Sequence, residues 1–187
     1  MALNRDEIAA LTEEYGGPWG INHTRHLLRL ISIIGARQPY NEEAVWIAAH
    51  LHDWGGYSKW AQKDVDHAVQ SAQVAAAFLA ERGCEPGLQR LVVECIRLHR
   101  TGGANRSPES VLLSDADALD FLGVVGVLRD FSKNARDMRK AYDVTRKRRA
   151  TLPASLQLER SRQIAAERIP QMDELLEHFE HDSWGDF

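Results

Sequence analysis

Apolar residues recur along this chain at intervals of three and four, the spacing that lines one face of a helix, in almost every patterned segment. A first helix is predicted from about Asn4 to Tyr15, with Ile8, Ala9 and Leu11 on one face, and the run Gly16-Gly17-Pro18-Trp19-Gly20 stops it. A second starts near Ile21 and carries Leu27, Leu28, Leu30, Ile31 and Ile34 until Gly35 and Pro39 close it. Asn41 followed by Glu42 and Glu43 is an N-cap with acidic first-turn residues. It opens a third helix, apolar through Val45, Trp46, Ile47, Ala48 and Ala49 and therefore central, which Gly55-Gly56 ends.

Asp66 caps a fourth helix from His67 to about Arg82, and a fifth runs from about Pro86 to His99. After a Gly-rich loop, Ser107 with Pro108 at the first helical position starts a helix through 111–123. Segment 124–131 is β-branched enough for a strand, but it lies between helical patterns and has no partner strand, so it reads as helix. A last helix runs from about Ala154 to His181, its stripe of Ile164, Ile169, Met172, Leu176 and Phe179 fitting the domain or a second subunit in a homodimer. The expectation is an all-α fold.

Length and composition add bounds. A chain of 187 residues with 44% hydrophobic and 27% charged residues fits one globular domain with a substantial core. A formal charge of −4 argues against a general nucleic-acid or membrane-surface binder, and no stretch is apolar enough to span a membrane. Cys84 and Cys95, the only cysteines, form no disulfide framework, and the charged N-terminus lacks a signal-peptide pattern, so a cytoplasmic protein is expected. Between Lys133 and Arg149 eight basic residues face only two acidic ones, Asp137 and Asp143, which reads as a solvated helix face.

The chemistry lies in the histidines. His23 is in the first turn of the second helix, His52 at the end of the third, His67 at the start of the fourth and His99 at the end of the fifth; helix ends can meet at one rim of a bundle. Asp53 adjoins His52, and Asp117 interrupts an apolar helix. Imidazole and carboxylate together suit Fe, Mn, Co, Ni or Zn rather than thiolate-seeking metals. One or two divalent ions fit: Asp53 has two oxygens and could tie an ion held by His23, His52 and Asp117 to another held by His67 and His99.

The order His23, His52-Asp53, Asp117 resembles the H…HD…D signature of the HD-domain metal-dependent phosphohydrolase superfamily, and His67 with His99 make it look like the dinuclear branch, H…HD…H…H…D. The flanks are similar too: "NHTRHLLRL" to H-x-x-R-V-x-x-L with His26 in the Arg place, "AAHLHDWG" to A-A-L-L-H-D-I-G, "DHAVQSA" to H-x-x-x-S-A and "LSDADALDFLG" to D-A-D-x-L-D-x-L-G. The resemblance covers residues 19–131 and implies an HD-domain-like compact helical bundle, a single domain over 1–187 with a C-terminal helical extension at 132–187. It implies metal ligation by His23, His52, Asp53, His67, His99 and Asp117, the last chosen on its "AD-x-L" match alone. It also implies hydrolysis of a phosphate ester of a nucleotide or other small metabolite by a metal-activated water. Gly56 stands where the cyclic-dinucleotide phosphodiesterases have a lysine and the 5′-nucleotidases a glutamate, so neither subgroup's chemistry carries over.

Around those ligands, Asp53 orients water if one ion is bound, His26 is a candidate proton carrier, and Arg100 a candidate phosphate contact. Tyr57, Lys63, Arg129 and the rings of Trp19, Trp54 and Trp60 are further candidates for the site mouth. Asp120 reads as support for a ligand histidine or a surface ion pair, Asp115 as solvated, and His50 as packed or exposed. Two rival functions share the ligand order: a di-iron oxygenase of the inositol-oxygenase type and a non-catalytic nucleotide-binding module.

Overall fold

A computed structural model describes residues 3–100 and 105–187 of the chain. Residues 101–104, the middle of the expected Gly-rich loop, lie outside the described residues. The described residues form helices and no strand, as the apolar spacing predicts.

Helix α1 spans Arg5–Ile34, opened by Asn4, whose side chain accepts from the backbone N–H groups of Asp6 and Glu7. The two helices expected here are continuous except for a kink: Gly17 takes φ +61°, a conformation open to glycine, and Pro18 lacks the N–H that the kink would orphan. Helix α2, Glu42–Leu51, is capped by Asn41 through the N–H of Ala44 and ends earlier than the glycines suggest. Seven of its ten residues are buried, so it is surrounded on all sides, as a central helix must be. A short 3-10 turn, Trp54–Gly56, follows.

Helix α3, His67–Glu81, starts on the Asp66 cap, and α4, Pro86–Leu98, on Glu85 with Pro86 in its first turn. Helix α5 is Pro108–Asp120; Ser107 Oγ accepts from the N–H of Ser110, the cap its sequence foretells. Helices α6, Val124–Lys133, α7, Met138–Ser155, and α8, Glu159–Ser183, complete the chain. Segment 124–131 is helical, as expected, whereas the last helix begins later than predicted because α7 runs on through Pro153 and a break at 156–158 separates the two.

The chain comprises two compact units, Met1–Ser114 and Asp115–Phe187. In the first, α2 packs against α1 and α4, and α3 against α4 and the Trp54–Gly56 turn. Ile8, Leu27, Leu30, Ile47, Leu51, Leu79 and Ile96 form its core, each burial contributing roughly 1.5–3 kcal/mol. Gly55 is wedged into α3: its N–H donates to Ser71 Oγ at 2.8 Å, and a Cβ on it would lie 2.3 Å from the Ser71 backbone nitrogen.

In the second unit α6, α7 and α8 pack together, with Phe131, Tyr142 and Phe187 each in ring contact with Phe179. Two expectations are corrected here. Asp115 is buried rather than solvated, and its carboxylate accepts from the N–H groups of Gln157 and Leu158 at 2.8–3.2 Å, closing the chain break before α8. The basic run is only partly a solvated face, because Arg148 turns inward to Asp130 and Arg149 grips Asp173 through two hydrogen bonds of 2.7 and 2.8 Å.

Gly55→Ala should cost about 1–3 kcal/mol, read as a lower midpoint in denaturant unfolding, since backbone cannot retreat from the added methyl as a flexible side chain can. Arg149 holds the Asp173 carboxyl below its ordinary pKa of 3.8, so that pair stabilises the fold above the ordinary value and the contribution is lost as pH falls through the lowered one. Wild type should therefore exceed Asp173→Asn by about 0.5–1 kcal/mol near neutrality, with the gap closing in acid below the ordinary carboxylate range; a gap that persists there would contradict the assignment.

Candidate metal centre

The end of α2 is built around two threonines of α1. Thr24 Oγ1 reaches the carbonyl oxygens of Gly20 at 3.1 Å and Ala49 at 3.4 Å, and Thr12 Oγ1 those of Ile8 at 2.9 Å and His50 at 3.4 Å while accepting from Trp54 Nε1. These bonds take up carbonyls that a helix end leaves open and lock α2 to the helix that carries His23.

His52 caps α2, and its ring Nδ1 lies 2.9 Å from the carbonyl of Ala49. A carbonyl only accepts, so the proton is on Nδ1, and in the neutral ring Nε2 is then the acceptor. His99, capping α4, repeats the arrangement with Nδ1 2.6 Å from the carbonyl of Ile96. Both rings are thus held in the tautomer that a metal ligand needs, by backbone at the end of their own helix.

Two groups result. In the first, His23 Nε2 is 3.2 Å from His52 Nε2, and these nitrogens lie 3.8 and 3.6 Å from Asp53 Oδ2. In the second, His67 Nε2 is 3.5 Å from Asp53 Oδ1, with the His99 ring 5.5 Å from that of His67 and 5.1 Å from that of His52. The ligand atoms of each group lie within 4.8 Å of one another. Ligands each about 2.0–2.2 Å from one cation sit roughly 3–3.5 Å apart, so the donor set and its spacing fit a divalent ion in each group. Asp53 contributes one oxygen to each.

Burial supports the same reading. His23, His52 and His99 are at most 3% exposed, so their ring nitrogens are withdrawn from water, and the 3.2 Å approach of the His23 and His52 Nε2 atoms calls for a proton or a cation between them. Burial pushes the pKa of His67 below 6.5, against the pull of the Asp53 carboxylate, and so favours the neutral ring. His50 is buried too, its ring packed at a tilt against Trp46, with burial driving its pKa down to about 4 against the Trp46 carbonyl on its Nδ1; it belongs to the core.

The structure therefore brings together five predicted residues, His23, His52, Asp53, His67 and His99. Asp117 lies half-buried on α5, in the second unit. His26 is half-buried one turn beyond His23 and belongs to neither group. Arg100 is half-exposed, with Nη1 3.1 Å from His67 Nδ1 and 3.6 Å from Asp66 Oδ2. Asp120 is fully buried and paired with Arg129 at 2.6 Å, a buried pair rather than a surface one, which also accounts for Arg129. Trp54 is core, stacked on Trp60, while Trp19 lies 5.1 Å from the His23 ring and Lys63 is exposed.

Two contacts escaped the sequence reading. Tyr57 lays its ring against Gly16 and Gly20, where any Cβ would collide with it, and burial raises its hydroxyl pKa with help from the Asp53 charge. The pair of glycines at i and i+4 was its only signal. The Arg100–His67 bond had none, because 33 residues separate its partners.

Comparison with known proteins agrees with the geometry. Residues 20–122 match the HD domain. A solved predicted HD superfamily hydrolase from an uncultured Thermotogales bacterium is 27% identical, with TM-score 0.67 over 95% of this chain and 91% of that one. Bacillus subtilis YpgQ, solved in complex with ADP, shares 22% identity and a TM-score of 0.73 over 95% and 94% of the two chains. An HD-superfamily hydrolase from Bacillus thuringiensis shares 18% and 0.70 over 97% and 96%; these last two likenesses show the fold alone. The curated proteins gave no match. No helix among the described residues is long and apolar enough to cross a membrane. With the HD match spanning more than half its length and His52-Asp53 at the meeting point of two histidine groups, the chain belongs to the HD domain family of metal-dependent hydrolases.

Proposed function

We propose that this protein hydrolyses a phosphate ester of a nucleotide or other small metabolite, using one or two divalent ions held by His23, His52, Asp53, His67, His99 and Asp117. The observation that carries the reading is the placement of the two Asp53 oxygens, one toward each histidine group. Asp117 joins the set by its place in the sequence order. The ADP complex of YpgQ supports a nucleotide as the substrate class.

When bound, the cations supply Lewis acidity toward a water and toward phosphoryl oxygens. The residues do the rest. Asp53 keeps the two groups in register or, with a single ion, orients the attacking water. Attack forms a new P–O bond and breaks the ester P–O bond, and the departing oxygen takes up a proton. His26, one turn from His23, is the ring nearest in sequence to deliver it through solvent, and Arg100 offers a planar fork to phosphate oxygens.

Asp53→Asn keeps the side chain's shape and removes the charge that both groups share. Purified variant should lose most bound metal and at least about 100-fold in turnover across a phosphoester and nucleotide panel with Mn, Fe, Co, Ni or Zn, with its helical circular dichroism unchanged. Wild type that requires iron, consumes oxygen and ignores every phosphoester would replace hydrolysis by oxidation. Full turnover in Asp53→Asn would remove the reading altogether.

A further inference from the structure

Arg100 sits where two demands on His67 conflict. A guanidinium has only donors, so the 3.1 Å contact from Arg100 Nη1 makes His67 Nδ1 the acceptor and leaves the His67 proton on Nε2, facing Asp53 Oδ1. Coordination through Nε2 needs the other tautomer, with the proton on Nδ1, and would set two donors against each other at that distance. His52 and His99 meet no such conflict, since carbonyl oxygens hold their Nδ1 protons. Among the second group, His67 alone has its outer nitrogen turned toward an arginine rather than an acceptor.

An open cleft of about 370 Å³ lies beside this contact, lined by Asp66, Val69, Arg97, Leu98 and Arg100. Two guanidiniums against one carboxylate make its lining net positive, and the Arg100 side chain is half-exposed, with Nη1 3.6 Å from the Asp66 carboxylate. Val69 and Leu98 give it an apolar wall. Such a lining suits the phosphate of a small organic phosphate, with its organic part against the apolar wall.

We propose that Arg100 is a latch that couples the second cation to the anion: Arg100 on His67 Nδ1 opposes the tautomer that a cation at Asp53, His67 and His99 would need, and once released its guanidinium, with Arg97, would bind the substrate phosphate in the cleft. This rests on the metal-hydrolase reading above and adds an order to it. Cation and phosphate each favour the released arginine, so each strengthens the binding of the other.

The test uses ¹⁵N-labelled full chain. Without added cation, His67 should show the Nε2–H tautomer while His52 and His99 show Nδ1–H, and saturating Zn should convert His67 to Nδ1–H. Calorimetry should give Arg100→Met a second-cation affinity roughly three- to tenfold tighter than wild type, the worth of one hydrogen bond removed. Inorganic phosphate should tighten that cation in wild type and do so far less in Arg100→Met. His67 already Nδ1–H without cation, or equal second-cation affinities in the two proteins, overturns the latch and leaves the hydrolase reading standing. A wild type that binds no cation at His67 while Asp53→Asn is equally metal-free overturns both.

Discussion

One carboxylate shared between two sets of histidine nitrogens is the constraint on which the first unit is organised. Asp53 follows the last turn of α2, where the helix dipole disfavours an anion, and three of the rings around it are withdrawn from water. Neither choice helps a helix end or a core. Both fit the proposed role of these nitrogens and oxygens as donors toward cations, whose charge would offset the dipole and the desolvation alike.

Holding that carboxylate between two groups requires four helices to meet within a few ångströms, and much of the polar structure of the unit serves this. Thr12 and Thr24 bind the end of α2 to α1 and so bring His52 to His23. Gly55, pressed against Ser71, brings the turn after Asp53 to the first turns of α3, where His67 begins. Carbonyls of Ala49 and Ile96 set the tautomers of His52 and His99. The latch proposed at Arg100 draws on the same economy: where backbone does not set the tautomer, a mobile side chain can.

The second unit solves a different problem. Asp115, Asp120 and Asp130 are all at most 1% exposed, and each is matched to donors: two backbone N–H groups, Arg129, and Arg148 with Thr145. Buried pairs of this kind add little net stability, but losing one partner strands a charge, so they fix which residues must lie together. Arg148 also covers the Phe121 ring, which makes part of the basic run a packing surface.

Helix content and several caps were legible along the chain, because a cap needs only neighbours two or three residues away, and candidate metal ligands could be named because the HD order is linear. Asn41, Asp66 and Ser107 all cap the helices they announce. The histidines were legible as a set but not as an arrangement. Spacing on a helix gives a direction around its axis and says nothing of what stands opposite, which is why Asp115 reads as solvated and proves to be a cap for a segment 42 residues away. The sequence by itself determined which donors exist and which helix ends carry them. Only the tertiary structure decided that the two oxygens of Asp53 divide between two groups and that Arg100 meets His67, since those distances depend on how four separate helices pack, and packing is settled by the summed burial of residues far apart in the chain.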